Sequence, residues 1–199
     1  SMVGLIGHNG AGKTTLFDVL TGFLPADGGT VRMGGRDITS SPPHRRAVRS
    51  LGRSFQEARL FPSLSVRDTL AVALETHLLS RDPLAAALRL PVSSRSERQA
   101  AARVDDLVEL LGLGQYQERP TGELSTGTRR IVELGCLLAH GPSVVLLDEP
   151  SGGVAQREAE ALGPLLRRVQ AETGCSMVVI EHDMALISSL CDELVALEQ

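Results

Sequence analysis

A glycine-rich run near the start of the chain constrains the fold more than any other feature. Gly7-His8-Asn9-Gly10-Ala11-Gly12-Lys13-Thr14-Thr15 follows the apolar run Val3-Gly4-Leu5-Ile6 and precedes Leu16-Phe17-Asp18-Val19-Leu20, which reads as helix. Residues 7–14 fit the spacing G-x-x-x-x-G-K-[ST] in the strand, loop, helix context that a phosphate-binding loop requires. Gly7, Gly10 and Gly12 let the backbone curl so that its N–H groups face phosphate oxygens. The helix N-terminus behind them adds about half a positive charge. Lys13 supplies a point charge for β and γ phosphates, and Thr14 offers a hydroxyl to Mg²⁺.

Two further apolar runs read as strands buried on both faces. Val144-Val145-Leu146-Leu147 delivers Asp148-Glu149-Pro150, and Met177-Val178-Val179-Ile180 delivers Glu181-His182-Asp183. Ligands of open parallel sheets bind beyond the carboxyl ends of the strands. Three apolar strands that each end in polar chemistry therefore describe one α/β site.

The texture between these parts differs. Residues 28–38 read as a small hairpin with Gly34-Gly35 at its turn. Pro42-Pro43 starts a short helix around 44–49, and helical spacing of apolar residues covers 66–79. A polar, irregular stretch follows over 80–96, then amphipathic helices over 97–111 and 124–138. Residues from about 62 to about 123 thus form an all-helical insertion in an α/β core.

Composition narrows the function classes. The 199 residues carry 24 acidic and 20 basic side chains, a net charge of −4, which disfavours a general affinity for nucleic acid. Tryptophan is absent and aromatics are 3%, so stacking platforms for single strands are scarce. Arg45, Arg46, Arg49 and Arg53 form the densest basic group and read as a solvated helix face. Cys136, Cys175 and Cys191 have no paired spacing and read as buried thiols in a reducing cytoplasm. No apolar run approaches the ~20 residues needed to cross a bilayer, so a membrane role must come through a partner.

Taken in order, these residues resemble the nucleotide-binding domain of ATP-binding cassette (ABC) transporters. The phosphate loop spans 7–14; Ser54-Phe55-Gln56 is similar to the segment entering the Q-loop; Leu124-Ser125-Thr126-Gly127-Thr128 resembles the signature motif. Residues 144–149 followed by Pro150 resemble the second nucleotide-binding motif, and Ile180-Glu181-His182-Asp183 the switch histidine. Phe61-Pro62, Leu64-Ser65-Val66, the insertion at 75–96, the loop at 150–154 and Met184 are similar to the branched-chain amino-acid and amide importer branch. Three positions depart from the family pattern: Thr126 and Thr128 in the signature, and Ala155 where the D-loop carries Asp or Asn. The family's earlier strands and its adenine-stacking aromatic are missing, so the chain reads as trimmed at both ends, with Ser1-Met2 an expression scar.

The resemblance implies an α/β fold: a P-loop NTPase (RecA-like) core with a mainly parallel sheet, a small antiparallel portion and an inserted helical subdomain. The core would comprise 1–61 and 124–199, the helical subdomain 62–123. It implies Mg²⁺-dependent hydrolysis of ATP, energising transport of a small solute. Gly7, His8, Asn9, Gly10, Ala11, Gly12, Lys13, Thr14 and Thr15 would surround the phosphates, with no function of its own for His8. Thr14 and Gln56 would ligate Mg²⁺ and Asp148 hold it through water; Glu149 would be the general base and His182 would contact the γ-phosphate. Gln56 would also couple the site to a membrane partner. Ser125 and Gly127 would reach the nucleotide of a second ATPase subunit in trans, in an ATP-dependent head-to-tail dimer. Implied partners are membrane permease subunits, with no nucleic acid and no direct membrane insertion; the implied place is cytoplasmic, peripheral on the inner face of the cell membrane. Two alternatives remain: a soluble regulatory ABC ATPase without a membrane role, and a catalytically weak nucleotide-binding module. A nucleotide kinase or GTPase would share only residues 7–14.

Overall fold

The apolar run that feeds the glycine-rich loop becomes an inner strand of a parallel sheet. A computed structural model of the chain describes residues 1–55, 60–75 and 91–198. These fall into two compact units, 1–57 with 142–199, and 58–141.

In the first unit, β1 (Met2–Ile6) lies between β6 (Ser176–Ile180) and β7 (Glu193–Ala196). The sheet continues from β6 through β5 (Val144–Asp148) to β4 (Leu51–Arg53), and every pairing among these strands is parallel. Helices α1 (Lys13–Thr21), α2 (Pro43–Val48), α6 (Gln156–Thr173) and α7 (Met184–Leu190) belong to the same unit. A two-stranded antiparallel hairpin, β2 (Arg32–Met33) with β3 (Arg36–Asp37), turns at Gly34-Gly35 as expected. Leu5, Phe17, Leu146 and Ile180 form the buried core between α1 and the sheet, with Leu16, Leu20 and Leu51 packed against it.

Three features of this unit depart from the sequence reading. Met2, set aside as a scar, is fully buried in β1. Strand β4 has only one large apolar residue and carries no periodic signal. The arginine group is no solvated face: Arg45 and Arg49 are exposed, but Arg46 is buried. Its guanidinium donates to the carbonyls of Ser41 (2.8 Å), Val19, Leu20 and Thr39 (2.7 Å each). Arg46 thus caps the last turn of α1, adding a donor to the Val19 carbonyl, which also accepts from the Gly22 N–H at 3.2 Å, and binding that of Leu20. Desolvation lowers its pKa from the ordinary arginine value.

The second unit is helical. Here α3 (Val66–Leu74), α4 (Pro91–Leu111) and α5 (Thr126–Ala139) pack on one another around Val66, Leu70, Val108, Leu111 and Val132. Ser65 caps α3 by accepting from the Asp68 N–H at 3.0 Å. Helix α4 begins at Pro91, inside the stretch expected to be irregular, and residues 80–90 of that stretch lie outside the described residues. Proline suits a first helical turn, where its missing N–H has no partner to lose. Helix α5 was assigned to the core from the sequence; it lies in the second unit, because its apolar face packs on α3 and α4.

The cysteines are free. Cys175 is buried, as expected, whereas Cys136 and Cys191 are partly buried. Burial, aided by Glu133, pushes the Cys136 thiol up to about 12.

Two outcomes follow from these contacts. Arg46→Ala strands buried carbonyls and lowers stability by about 3 kcal/mol in denaturant unfolding, while Arg45→Ala shifts it by no more than about 0.5 kcal/mol. Equal effects of the two would remove the structural role given to Arg46. In the native chain at mildly alkaline pH, Cys136 resists alkylation as read by peptide mass spectrometry, and becomes reactive on denaturation.

Candidate active site

Register places the functional groups. Leu5 of β1 pairs with Ile180 of β6, and Asp148 of β5 pairs with the same Ile180. The three strands end level, so the loop after Ile6, the carboxylates after Leu147 and the histidine after Glu181 emerge at one edge. Asn9, Gly10, Gly12, Lys13, Thr14, Thr15, Glu149 and His182 line one open cleft of about 550 Å³. Gly7, His8 and Ala11 belong to the loop without lining that cleft. The His8 ring lies 2.8 Å from the Asn9 carbonyl.

The loop needs its glycines for separate reasons. Gly12 has φ 91° at the N-cap of α1, a left-handed conformation that costs other residues energy. At Gly7 an added Cβ would lie 2.7 Å from the backbone oxygen of Leu197. Lys13 opens α1 and is buried; its ammonium donates to the carbonyls of Gly7 at 2.7 Å and His8 at 3.1 Å. The loop therefore curls around the lysine's own charge, which faces the space at the head of α1.

Asp148 is 1% exposed, and its Oδ1 has no hydrogen-bond partner among the described residues. Burial raises its pKa, the Arg53 guanidinium pulls it down, Glu149 raises it, and the Thr14 hydroxyl lowers it. A buried orphan carboxylate oxygen beside a threonine hydroxyl suits a hard divalent cation. Among the described residues no group of three His, Cys, Asp or Glu side chains could form a cage.

Glu149 follows with φ 49°, left-handed for a non-glycine residue. Its N–H donates to the Ile180 carbonyl and its carbonyl accepts from Gly152, both at 2.9 Å. Its Oε1 lies 2.9 Å from Nε2 of His182. Both side chains remain partly open to solvent. Asp183, the next residue, caps α7 by accepting from the N–H groups of Ala185 (2.8 Å) and Leu186 (3.0 Å).

Gln56 lies outside the described residues, although Ser54 and Phe55 before it are described. Ser125 and Gly127 are in the second unit, at the start of α5. Ser125 is the N-cap: its Oγ accepts from the Thr128 N–H at 3.1 Å and lies 2.9 Å from the Thr128 hydroxyl. Thr128, a departure from the signature pattern, therefore steadies the serine that the pattern retains.

Sequence reasoning missed two charged residues. Arg53, the last residue of β4, is nearly buried; its Nη1 lies 2.5 Å from Asp18 Oδ1 and donates to Thr21 Oγ1 at 3.1 Å. Its Nη2 is 3.8 Å from Asp148 Oδ2, and the guanidinium sits 5.3 Å from the Phe55 ring and 5.9 Å from Phe17 and Phe23. Glu181 is buried and accepts from the N–H groups of Ser151 at 2.7 Å and His182 at 3.2 Å. A charged residue next to each motif was the only signal for either.

Residues 1–152 match the family model described as ABC transporter. The chain is 35% identical over 198 residues to the high-affinity branched-chain amino acid transport ATP-binding protein BraF of Pseudomonas aeruginosa, covering all of this chain and 77% of that protein. It is 33% identical over 199 residues to the sulfate/thiosulfate import ATP-binding protein CysA of Mycobacterium tuberculosis, covering all of this chain and 51% of that protein. The structure of cbiO1 from Clostridium perfringens, part of the ABC transporter complex cbiONQ, superposes with a TM-score of 0.82 at 26% identity, covering 99% of this chain and 73% of that one. With its phosphate loop, carboxylates and histidine on one parallel-sheet edge, the chain belongs to the ABC transporter family, as an ATP-binding cassette with a P-loop NTPase fold.

Proposed function

We propose that this chain hydrolyses Mg²⁺-ATP and so energises import of a small solute, a branched-chain amino acid or a close relative. One observation carries the catalytic part: the cleft that holds Lys13 and Thr14 also holds the Glu149–His182 pair at 2.9 Å. The loop N–H groups and Lys13 would bind the phosphates. Thr14, Asp148 through water, and Gln56 would hold Mg²⁺, which when bound shields the phosphate charge. Glu149 would take the proton of the attacking water, and His182 would donate a hydrogen bond to the γ-phosphate. His182 and Glu149 face each other at 2.9 Å, so each would help orient the other.

The solute assignment leans on the branched-chain relative, of whose length this chain covers 77%, against 51% for the sulfate one. Ser125 and the Gly127 amide, at a helix N-terminus, would serve the nucleotide of a second copy bound head to tail. Permease subunits of the membrane would receive the motion through Gln56, placing the chain on the inner face of the membrane. Among the described residues no helix is long and apolar enough to cross it. A second reading, a nucleotide-binding module with weak turnover, draws support from Ala155, which stands at the N-cap of α6 and offers no polar side chain there.

Turnover of Mg²⁺-ATP decides between them. Glu149→Gln should lower kcat by about a hundredfold or more while nucleotide binding persists, and Lys13→Ala should weaken binding itself. Turnover equal to wild type in Glu149→Gln would refute the assignment of the base. Uptake of leucine rather than sulfate by vesicles holding the complete transporter would support the solute class, and the reverse would overturn it.

A further inference from the structure

Glu181 is a buried carboxylate that neither the phosphate loop nor the metal position uses. Its side chain pairs with no cation among the described residues. Two backbone N–H groups hold it instead: Ser151 on Oε1 at 2.7 Å and His182 on Oε2 at 3.2 Å. A carboxylate buried without a cation partner needs its oxygens hydrogen-bonded, and these two N–H groups do that. What the carboxylate adds is two acceptor atoms on one rigid plane, able to take two donors at once.

Those donors belong to the two loops that carry Glu149 and His182. Starting from the Glu149 side chain, the path runs through Pro150 to the Ser151 N–H, across both Glu181 oxygens to the His182 N–H, then through the imidazole back to Glu149 at 2.9 Å. The ring is closed. Its covalent part is stiff, because Pro150 has a fixed φ and the Gly152 N–H bonds the Glu149 carbonyl at 2.9 Å. Two side-chain links complete it: the Glu181 carboxylate between the Ser151 and His182 N–H groups, and the Glu149–His182 contact itself.

We propose that Glu181 is a positioning residue for the hydrolytic step: by joining the Ser151 and His182 backbones, it sets the spacing between the Glu149 carboxylate and the His182 imidazole. This rests on the reading of Glu149 as base and His182 as the γ-phosphate contact. Displacement of a reacting group by about 1 Å from a distant change is enough to cost on the order of a hundredfold in rate. Glu181→Gln is the sharp test, being isosteric. Its amide oxygen can accept one N–H, while its NH₂ turns a donor toward the other.

The experiment uses the full subunit in wild-type, Glu181→Gln, Glu181→Asp and Glu149→Gln forms. It reads Mg²⁺-ATP turnover, nucleotide affinity by a fluorescent ATP analogue, thermal unfolding, and the NMR signals of the His182 ring and of the Ser151 and His182 amides. Glu181→Gln is expected to lower kcat tenfold or more, to leave KM and nucleotide affinity within threefold, and to move the His182 ring signals and at least one of the two amides. Glu181→Asp keeps the charge with a shorter reach; it is expected to fall between, and it carries the test if the glutamine variant does not fold. An unchanged kcat, or unmoved ring signals, overturns the proposal. So does a loss of kcat that tracks loss of affinity and of thermal stability, which is the mark of a merely structural carboxylate. If wild type and Glu149→Gln turn over alike, the catalytic reading fails by itself. The ring and amide signals then still decide whether Glu181 positions His182.

Discussion

Backbone hydrogen bonding between β5, β6 and β1 sets Asp148, Ile180 and Leu5 side by side, and the chemistry of the cleft depends on that alignment. Side chains alternate faces along a strand, so a slip of one residue in either pairing would turn a strand's inward face outward. Leu146, Ile180 and Leu5 share one core with Phe17, and that core resists such a slip. The same packing that hides these residues fixes where each strand stops. The carboxylates, the loop and the histidine are consequences of where a hydrophobic layer ends.

Two guanidinium groups then brace helix α1. Arg46 binds carbonyls near its C-terminal end, and Arg53 binds Asp18 and Thr21 along its length while reaching toward Asp148. Arginine suits both places because its planar fork offers several donors in fixed directions. Since α1 also carries Lys13 and Thr14 at its other end, the helix is located from below by charge and from above by the loop. Ser54, just after β4, ties the end of β5 by accepting from the Asp148 N–H at 3.1 Å.

The legible parts of the molecule were those whose information is local. The 7–15 run, the two apolar strands and the hairpin turn at Gly34-Gly35 each declare themselves within a dozen residues. So the meeting of Lys13, Thr14, Glu149 and His182 in one cleft could be anticipated from strand ends alone. Strand β4 could not, since Leu51-Gly52-Arg53 is too short and too polar to show a period. Arg46 was misread for a related reason: local charge density says nothing of the carbonyls of Val19 and Leu20, more than twenty residues away. For α5, an amphipathic pattern shows that one face is covered but not by which neighbour. Glu181 was overlooked because its partners are backbone N–H groups, which no side-chain pattern encodes.

The backbone of Glu149 carries a different kind of consequence. Holding a non-glycine residue at φ 49° costs on the order of 1 kcal/mol. A glycine would relax the turn, and so would an asparagine, yet neither brings a carboxylate to the cleft. The position therefore sets comfort of the chain against reactivity of the site. If Glu149 is the base proposed above, variants screened only for heat resistance would drift toward the relaxed residues and lose turnover, so stability and activity would pull this one residue in opposite directions.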